Sequence, residues 1–433
     1  MAGSNKNKTL ITGNGFDLAH NLPTSYKDFI NFVLAFETYK GDKSKVAFDA
    51  IFATSESKFD KSWLEEVRRH YGTEEMSFDL SVFASKLDKT GKLNNAWLDY
   101  FKPIQNIETW IDFEKEIGGA LKSISNFNLK ANQIIQTGEN LTFVYVKKDG
   151  YHENCFYLAS KAINLHRLGL LKGKINNGTL ARKNFLITEN AEYFYLEDLC
   201  FTNGIKENIS SINTNAILNY LLNQLSVLTE LFEIYLKLIT GEFYRCINMN
   251  MLVGLTGYSE IFTLNYTKTI SSLYASLNRS TVHHLHGEIG GANNIVIGVA
   301  FIDKEDEEVL GVHALGFTKY YQTLFKETKF GFLDEDGRKI QRNEPVDYFV
   351  WGHSLDRSDE KYIRRLFEEI SNTSEFNGSR ITIYFHSESS KASLLKNLLA
   401  IIGKEVIEKS IRLKFLKFLK APYIWKDQLF EKS

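Results

Sequence analysis

Four short segments place polar side chains directly after an apolar run, where an open parallel sheet binds its ligands. The first is Gly13-Asn14-Gly15-Phe16-Asp17, behind Thr9-Leu10-Ile11-Thr12. Two glycines let a backbone come close to a pyrophosphate, and the start of the next helix favours negative charge. A full dinucleotide fingerprint would need a third glycine at position 18, where Leu18 stands, so a simple tight turn fits equally. On the phosphate reading, Gly15→Val is expected to exclude ligand and leave the fold intact. In the second segment, Thr263-Leu264-Asn265-Tyr266-Thr267, Asn265 either caps the next helix or orients a ribose or a water. The third is His283-His284-Leu285-His286-Gly287-Glu288; as a strand it puts His284 and His286 on one face and His283 on the other. A histidine at a strand end is a natural general base near neutral pH. Three clustered histidines also raise a metal site, but H-E-x-x-H is missing and Glu288 is the one close carboxylate, so no metal is expected. In the fourth, Trp351-Gly352-His353-Ser354-Leu355-Asp356-Arg357-Ser358-Asp359, Asp356 or Ser358 caps the following helix, or a hydroxyl and a carboxylate hold a ribose.

These segments need elements to position them. Strand-and-turn patterns at 9–12, 260–264, 281–286, 294–297, 346–351 and 380–385 alternate with helical spacing at about 25–39, 265–277, 359–370 and 391–402. Such alternation predicts an α/β, Rossmann-like fold with a mainly parallel sheet. Its first strand lies near residue 10 and the others follow residue 255, so residues 1–40 and 255–433 form one discontinuous domain. Residues 41–254 read as a mostly helical insertion, with a helix from Ala216 to about Phe243. A small β patch near 140–200 uses Leu141–Val146, with Asn184–Thr188 and Glu192–Leu196 as partners. Trp110-Ile111-Asp112-Phe113-Glu114 reads as a helix start with a packed aromatic face, and 303–308 as a solvated acidic loop. The run from Arg412 to Lys420 reads as a core or interface helix with snorkelling lysines.

Composition narrows the class. Lys plus Arg number 52 against 53 Asp plus Glu, a net charge of -1 that gives no global pull towards nucleic acid or an anionic membrane. Four prolines in 433 residues exclude a Pro-rich disordered chain. Cys155, Cys200 and Cys246 form no C-x-x-C pair, which suits reduced, buried thiols. Neither a secretory leader nor an apolar run of membrane-spanning length is present, so the expected location is the cytoplasm.

The stretch from Gly13 to Tyr26 resembles the N-terminal signature of the AbiH family of bacteriophage abortive-infection proteins. Trp110 to Glu114, Leu264-Asn265-Tyr266-Thr267, His284-Leu285-His286-Gly287 and Gly352-His353-Ser354-Leu355 follow in the family's order, with residues about 140–210 as an extra insertion. AbiH proteins are in turn distantly similar to sirtuins. That resemblance implies phosphate contact at Gly13-Asn14-Gly15, an Asn beside the nicotinamide ribose at Asn265 and a catalytic histidine at His286. Asn14, Leu264 and Thr267 depart from the sirtuin residues, and no zinc-binding cysteine quartet exists, which argues against protein deacetylation.

The resulting expectation is an antiphage effector that binds NAD and hydrolyses its nicotinamide–ribose bond. Asn265 and His286 are the catalytic candidates; Gly13, Asn14, Gly15, Asp17, Ser354 and Asp359 are the NAD-binding ones. NAD, a phage-derived trigger and further copies of the chain are the expected partners, with neither membrane nor nucleic acid. Two rivals stand beside it: a non-catalytic nucleotide sensor, and a metal-dependent nuclease built on His283, His284 and His286.

Overall fold

The computed structural model describes residues 7–54, 58–104, 110–136, 143–147, 164–172, 191–196, 198–200, 212–274, 281–290, 295–328, 331–333, 345–371 and 378–429. Its centre is a six-stranded sheet of β1 (Asn7–Thr12), β2 (Glu260–Thr263), β3 (Thr281–His284), β4 (Val346–Trp351), β5 (Arg380–Phe385) and β6 (Leu416–Lys420). The spatial order is β6-β5-β4-β1-β2-β3, and every neighbouring pair is parallel. Read from β3 inward, this is the 3-2-1-4-5-6 order of doubly wound dinucleotide-binding folds. The order reverses between β1 and β4, whose carboxyl ends Thr12 and Trp351 lie side by side. A crevice is expected there, because the connections leave the two strands in opposite directions.

Apolar residues on both faces hold this sheet in place, as a doubly covered parallel sheet requires. Ile11, Phe262, Val350 and Ile383 face one core, closed by α6 (Glu360–Ser371), α7 (Glu388–Ile402) and α8 (Lys404–Arg412) through Leu366, Leu398 and Ile407. Leu10 and Ile261 face the opposite core. That layer holds α1 (Asn14–Ala19), α2 (Tyr26–Thr38), α3 (Trp110–Gln136) and α4 (Thr214–Cys246), and α5 (Lys319–Phe325) lies beside it. Its interior is aromatic: Tyr26 stacks on Phe113 at 3.4 Å and on Phe232 at 4.7 Å. A capping box between Ser25 and Asp28 starts α2. The stack therefore fixes where α3 begins relative to β1.

Several local expectations change. Arg412–Lys420 is not one helix: α8 ends at Arg412, and Leu416–Lys420 is the edge strand β6, whose lysines protect an open sheet edge. Ile295-Val296-Ile297 forms no strand; it is a buried loop bound by Gln322 and by the Tyr266 hydroxyl. The acidic 303–308 segment falls largely in a helix, Lys304–Leu310. In the β patch, Phe143–Lys147 pairs antiparallel with Ala191–Leu196, and Leu171–Lys172 is the third strand. Residues 184–188 lie outside the described residues. Among the described residues, no helix is long and apolar enough to cross a membrane.

Candidate functional site

A cavity of about 510 Å³ opens at the carboxyl edge of the sheet, between β1 and β4. That size lies within the range of small-molecule sites. Gly13, Asn14, Gly15, Asp17, Asn265, His286, Ser354 and Asp359 all line it. The backbone brings them together by a close interlock. Gly13 N–H donates to the Trp351 carbonyl at 3.1 Å, and Gly15 N–H to the Gly352 carbonyl at 2.8 Å. A Cβ on Gly15 would lie 2.8 Å from the Gly352 Cα, and one on Gly13 2.7 Å from the His353 Cα. The glycines thus serve backbone-to-backbone contact with the β4 turn, and their N–H groups are occupied by it. Gly15→Val would strike Gly352, so the expectation that the fold tolerates it is wrong.

Behind the turn, Asp17 is fully buried. Its Oδ2 accepts from Thr267 Oγ1 at 2.5 Å, while Oδ1 makes no hydrogen bond. Burial raises its pKa to about 6 against the opposing pull of Thr267, Thr269 and Asn265. Asn14 Oδ1 accepts from Thr24. Asn265 does not cap the next helix, which begins at Thr269 behind Lys268; it lines the cavity, and its side chain also turns to Asp17. Asp356, by contrast, does cap, accepting from Ser358 N–H, and the turn this creates directs Asp359 inward.

Asp359 is the centre of the charge arrangement. Its Oδ1 lies 3.2 Å from His286 Nε2 and 3.8 Å from Lys319 Nζ, and its Oδ2 lies 3.2 Å from His353 Nε2. Oδ1 is sealed from solvent; His286 is its nearer partner and Lys319 the more distant one. Burial alone would raise its pKa, but Lys319 and His286 outweigh burial and hold the carboxyl well below its usual range. Leu355 N–H donates to His353 Nδ1, so the proton of that ring sits on Nε2 and points at Asp359. His353 therefore clamps the carboxylate and has no lone pair to offer. At His286, with Nε2 turned to Asp359, Nδ1 carries the lone pair. Burial lowers the pKa of His286 while Asp359 opposes the shift, so the ring is neutral at pH 7.

The family model for bacteriophage abortive infection AbiH matches residues 9–385. The chain belongs to the AbiH family. No curated protein and no solved structure matches it. The matched range opens in β1 and closes on the last residue of β5, so in this AbiH chain it holds the residues around Asp359 and leaves α7 outside.

The three clustered histidines of this AbiH chain diverge. His283 stacks on Phe262 at 4.8 Å on the opposite face, His284 Nδ1 meets the Asn265 carbonyl at 3.0 Å, and only His286 enters the cavity. Glu114, Lys319 and His353 are among the members of the site that sequence reasoning missed. Glu114 Oε1 lies 2.6 Å from Lys319 Nζ. Burial pushes the Glu114 pKa up to about 7; Lys319 opposes this and Asp359 adds to it. Burial disfavours a charged Lys319, but Asp359 and Glu114 dominate and raise its pKa. Glu114 stands next to Phe113 in a segment dominated by packing, and Lys319 has no motif around it. His353 stands between Gly352 and Ser354, in the fourth of the polar segments.

Proposed function

We propose that this AbiH chain is an abortive-infection effector that binds NAD in the cavity and hydrolyses its nicotinamide–ribose bond. What supports the reading is the convergence of all eight candidate residues on one cavity at the strand-order reversal, from segments as distant as Gly13 and Asp359. Leaving-group departure makes the ribose carbon cation-like, and buried carboxylates stabilise such a charge if they are already in place. Asp359 is so placed, with its charge maintained by Lys319 and His286. Asn265 orients the ribose or the attacking water. His286 takes the water's proton on Nδ1, with Asp359 fixing the ring as a carboxylate fixes the histidine of a catalytic triad. Ser354 contacts the ribose, and Asp17, buried behind the turn, supports Thr267 and Asn265 from below. With the Gly13 and Gly15 N–H groups occupied, phosphate contact at this turn falls to Asn14.

The direct test is to incubate purified protein with NAD and follow free nicotinamide, and in parallel to follow cellular NAD during infection. Nicotinamide release or NAD loss that depends on Asn265 and His286 is the expected result. Protection that survives in both alanine variants, with cellular NAD unchanged, refutes the reading.

A further inference from the structure

The proposed reaction uses Asp359 and His286 but leaves unexplained why α3, which begins at Trp110, delivers a second carboxylate. Glu114 is 7% exposed, and burying a carboxylate is strongly unfavourable unless it is compensated. Packing alone does not require it, because Phe113, its neighbour, already anchors α3 through Tyr26 and Phe101. Lys319 is the one lysine or arginine lining the cavity among the described residues, and it stands between two carboxylates at unequal distances. Glu114 holds it at 2.6 Å, and Asp359 shares it at 3.8 Å. The same Asp359 oxygen faces His286. These contacts form a single line: Glu114, Lys319, Asp359, His286.

We propose that Glu114 is a positioning residue that sets, through Lys319 and Asp359, how strongly His286 holds a proton. The inference rests on His286 acting as the base, as in the reading above. With Glu114 ionised, Lys319 is held towards α3, and most of the Asp359 charge remains to stabilise an imidazolium. With Glu114 protonated, Lys319 is released to Asp359 and neutralises it, so His286 becomes a weaker base. The groups facing Glu114 are Lys319 on α5, Asp356 and Asp359 after β4, Tyr266 after β2 and Tyr26 on α2. Those facing His286 are Asp359, Lys319, Lys361 and Tyr362, whose ring lies 5.8 Å from the imidazole. The Glu114 pKa of about 7 places the change within the physiological range. Acidification through this range would then weaken His286 as a base.

The test reads His286 directly, by NMR titration of its imidazole in the full-length protein, without added NAD. Glu114→Gln mimics the protonated state and is expected to lower the His286 midpoint by roughly half a unit or more. Lys319→Met removes the cation and is expected to raise it. In the Lys319→Met background, Glu114→Gln should have no further lowering effect, because the intermediary is gone. Opposite signs separate this mechanism from general loosening of the fold, which would move both variants the same way. A midpoint unchanged by Glu114→Gln, or lowered equally with and without Lys319, overturns the proposal. With NAD as substrate, Glu114→Gln should also remove the limb near pH 7 from the kcat profile. If the wild-type chain releases no nicotinamide, the hydrolysis reading fails, and the NMR titration still decides the coupling by itself.

Discussion

Gly352→Ala tests whether the glycine interlock holds the cavity together. Gly352 has φ 70°, and an added Cβ would lie 2.1 Å from Phe16 N and 2.4 Å from the Gly15 carbonyl carbon. Both are backbone atoms, so no side chain can swing away. Gly290 offers an internal control: its φ is 68°, and a Cβ there meets nothing within 4 Å. Gly290→Ala therefore incurs only the left-handed backbone cost, about 1–2 kcal/mol. Gly352→Ala incurs that cost plus overpacking of about 1–3 kcal/mol, for a total of about 2–5 kcal/mol. Chemical denaturation of both variants beside the wild type, with the midpoint shift read at unchanged slope, gives the comparison. Gly352→Ala should be less stable than Gly290→Ala by at least about 1 kcal/mol. Its ligand binding should also fall, because Gly15 and His353 are displaced together. Equal destabilisation of the two variants would refute the interlock.

Asn265→Ala and His286→Ala should each lower NAD turnover by at least about 100-fold, with the double variant little worse than either, as measured by nicotinamide release from folded protein. His283→Ala removes only the stack on Phe262, so it should lower stability and leave turnover per folded molecule unchanged. Asp17 carries a pH dependence whose sign is fixed: its folded pKa of about 6 exceeds the ordinary aspartate value of 3.8, so its contribution is full below pH 3.8 and is lost as pH rises through 6. That loss amounts to about 3 kcal/mol, and Asp17→Asn should flatten the stability profile between pH 4 and 6; an unaltered slope in urea titrations would show that Asp17 is not the group responsible.

Much of the cavity was legible because strand ends and turns leave local marks. Thr9–Thr12 before Gly13, and Val346–Trp351 before Gly352, combine an apolar run with a glycine, and both lie at the carboxyl edge of the sheet. The helix over α4 was equally visible, since its apolar residues recur from Ile217 to Phe243. Errors arose where tertiary context chose between periods. Lys414, Lys417 and Lys420 recur every three residues, which suggests a helix face, yet pairing of Ile381 with Leu416 and Ile383 with Phe418 makes the segment a strand. Glu114 and Lys319 could not be joined from sequence, because the chemistry of each depends on burial beside the other. Asp359 was named for ribose contact, but its place between two histidines and a lysine exists only in three dimensions.

The position of β1 has a consequence in time. It is the earliest strand of the sheet to be synthesised, yet its two neighbours begin at Glu260 and Val346. At a translation speed of about 5–20 residues per second, β4 follows β1 after roughly 20 seconds to a minute. Until the end of that interval β1 lacks at least one of its two flanking strands, and Asp359 has not yet emerged to meet Lys319. A nascent chain is thus incapable of the proposed chemistry until its last third is made. Loss of β4 through premature termination would leave an apolar strand without its partner instead of a partly active enzyme.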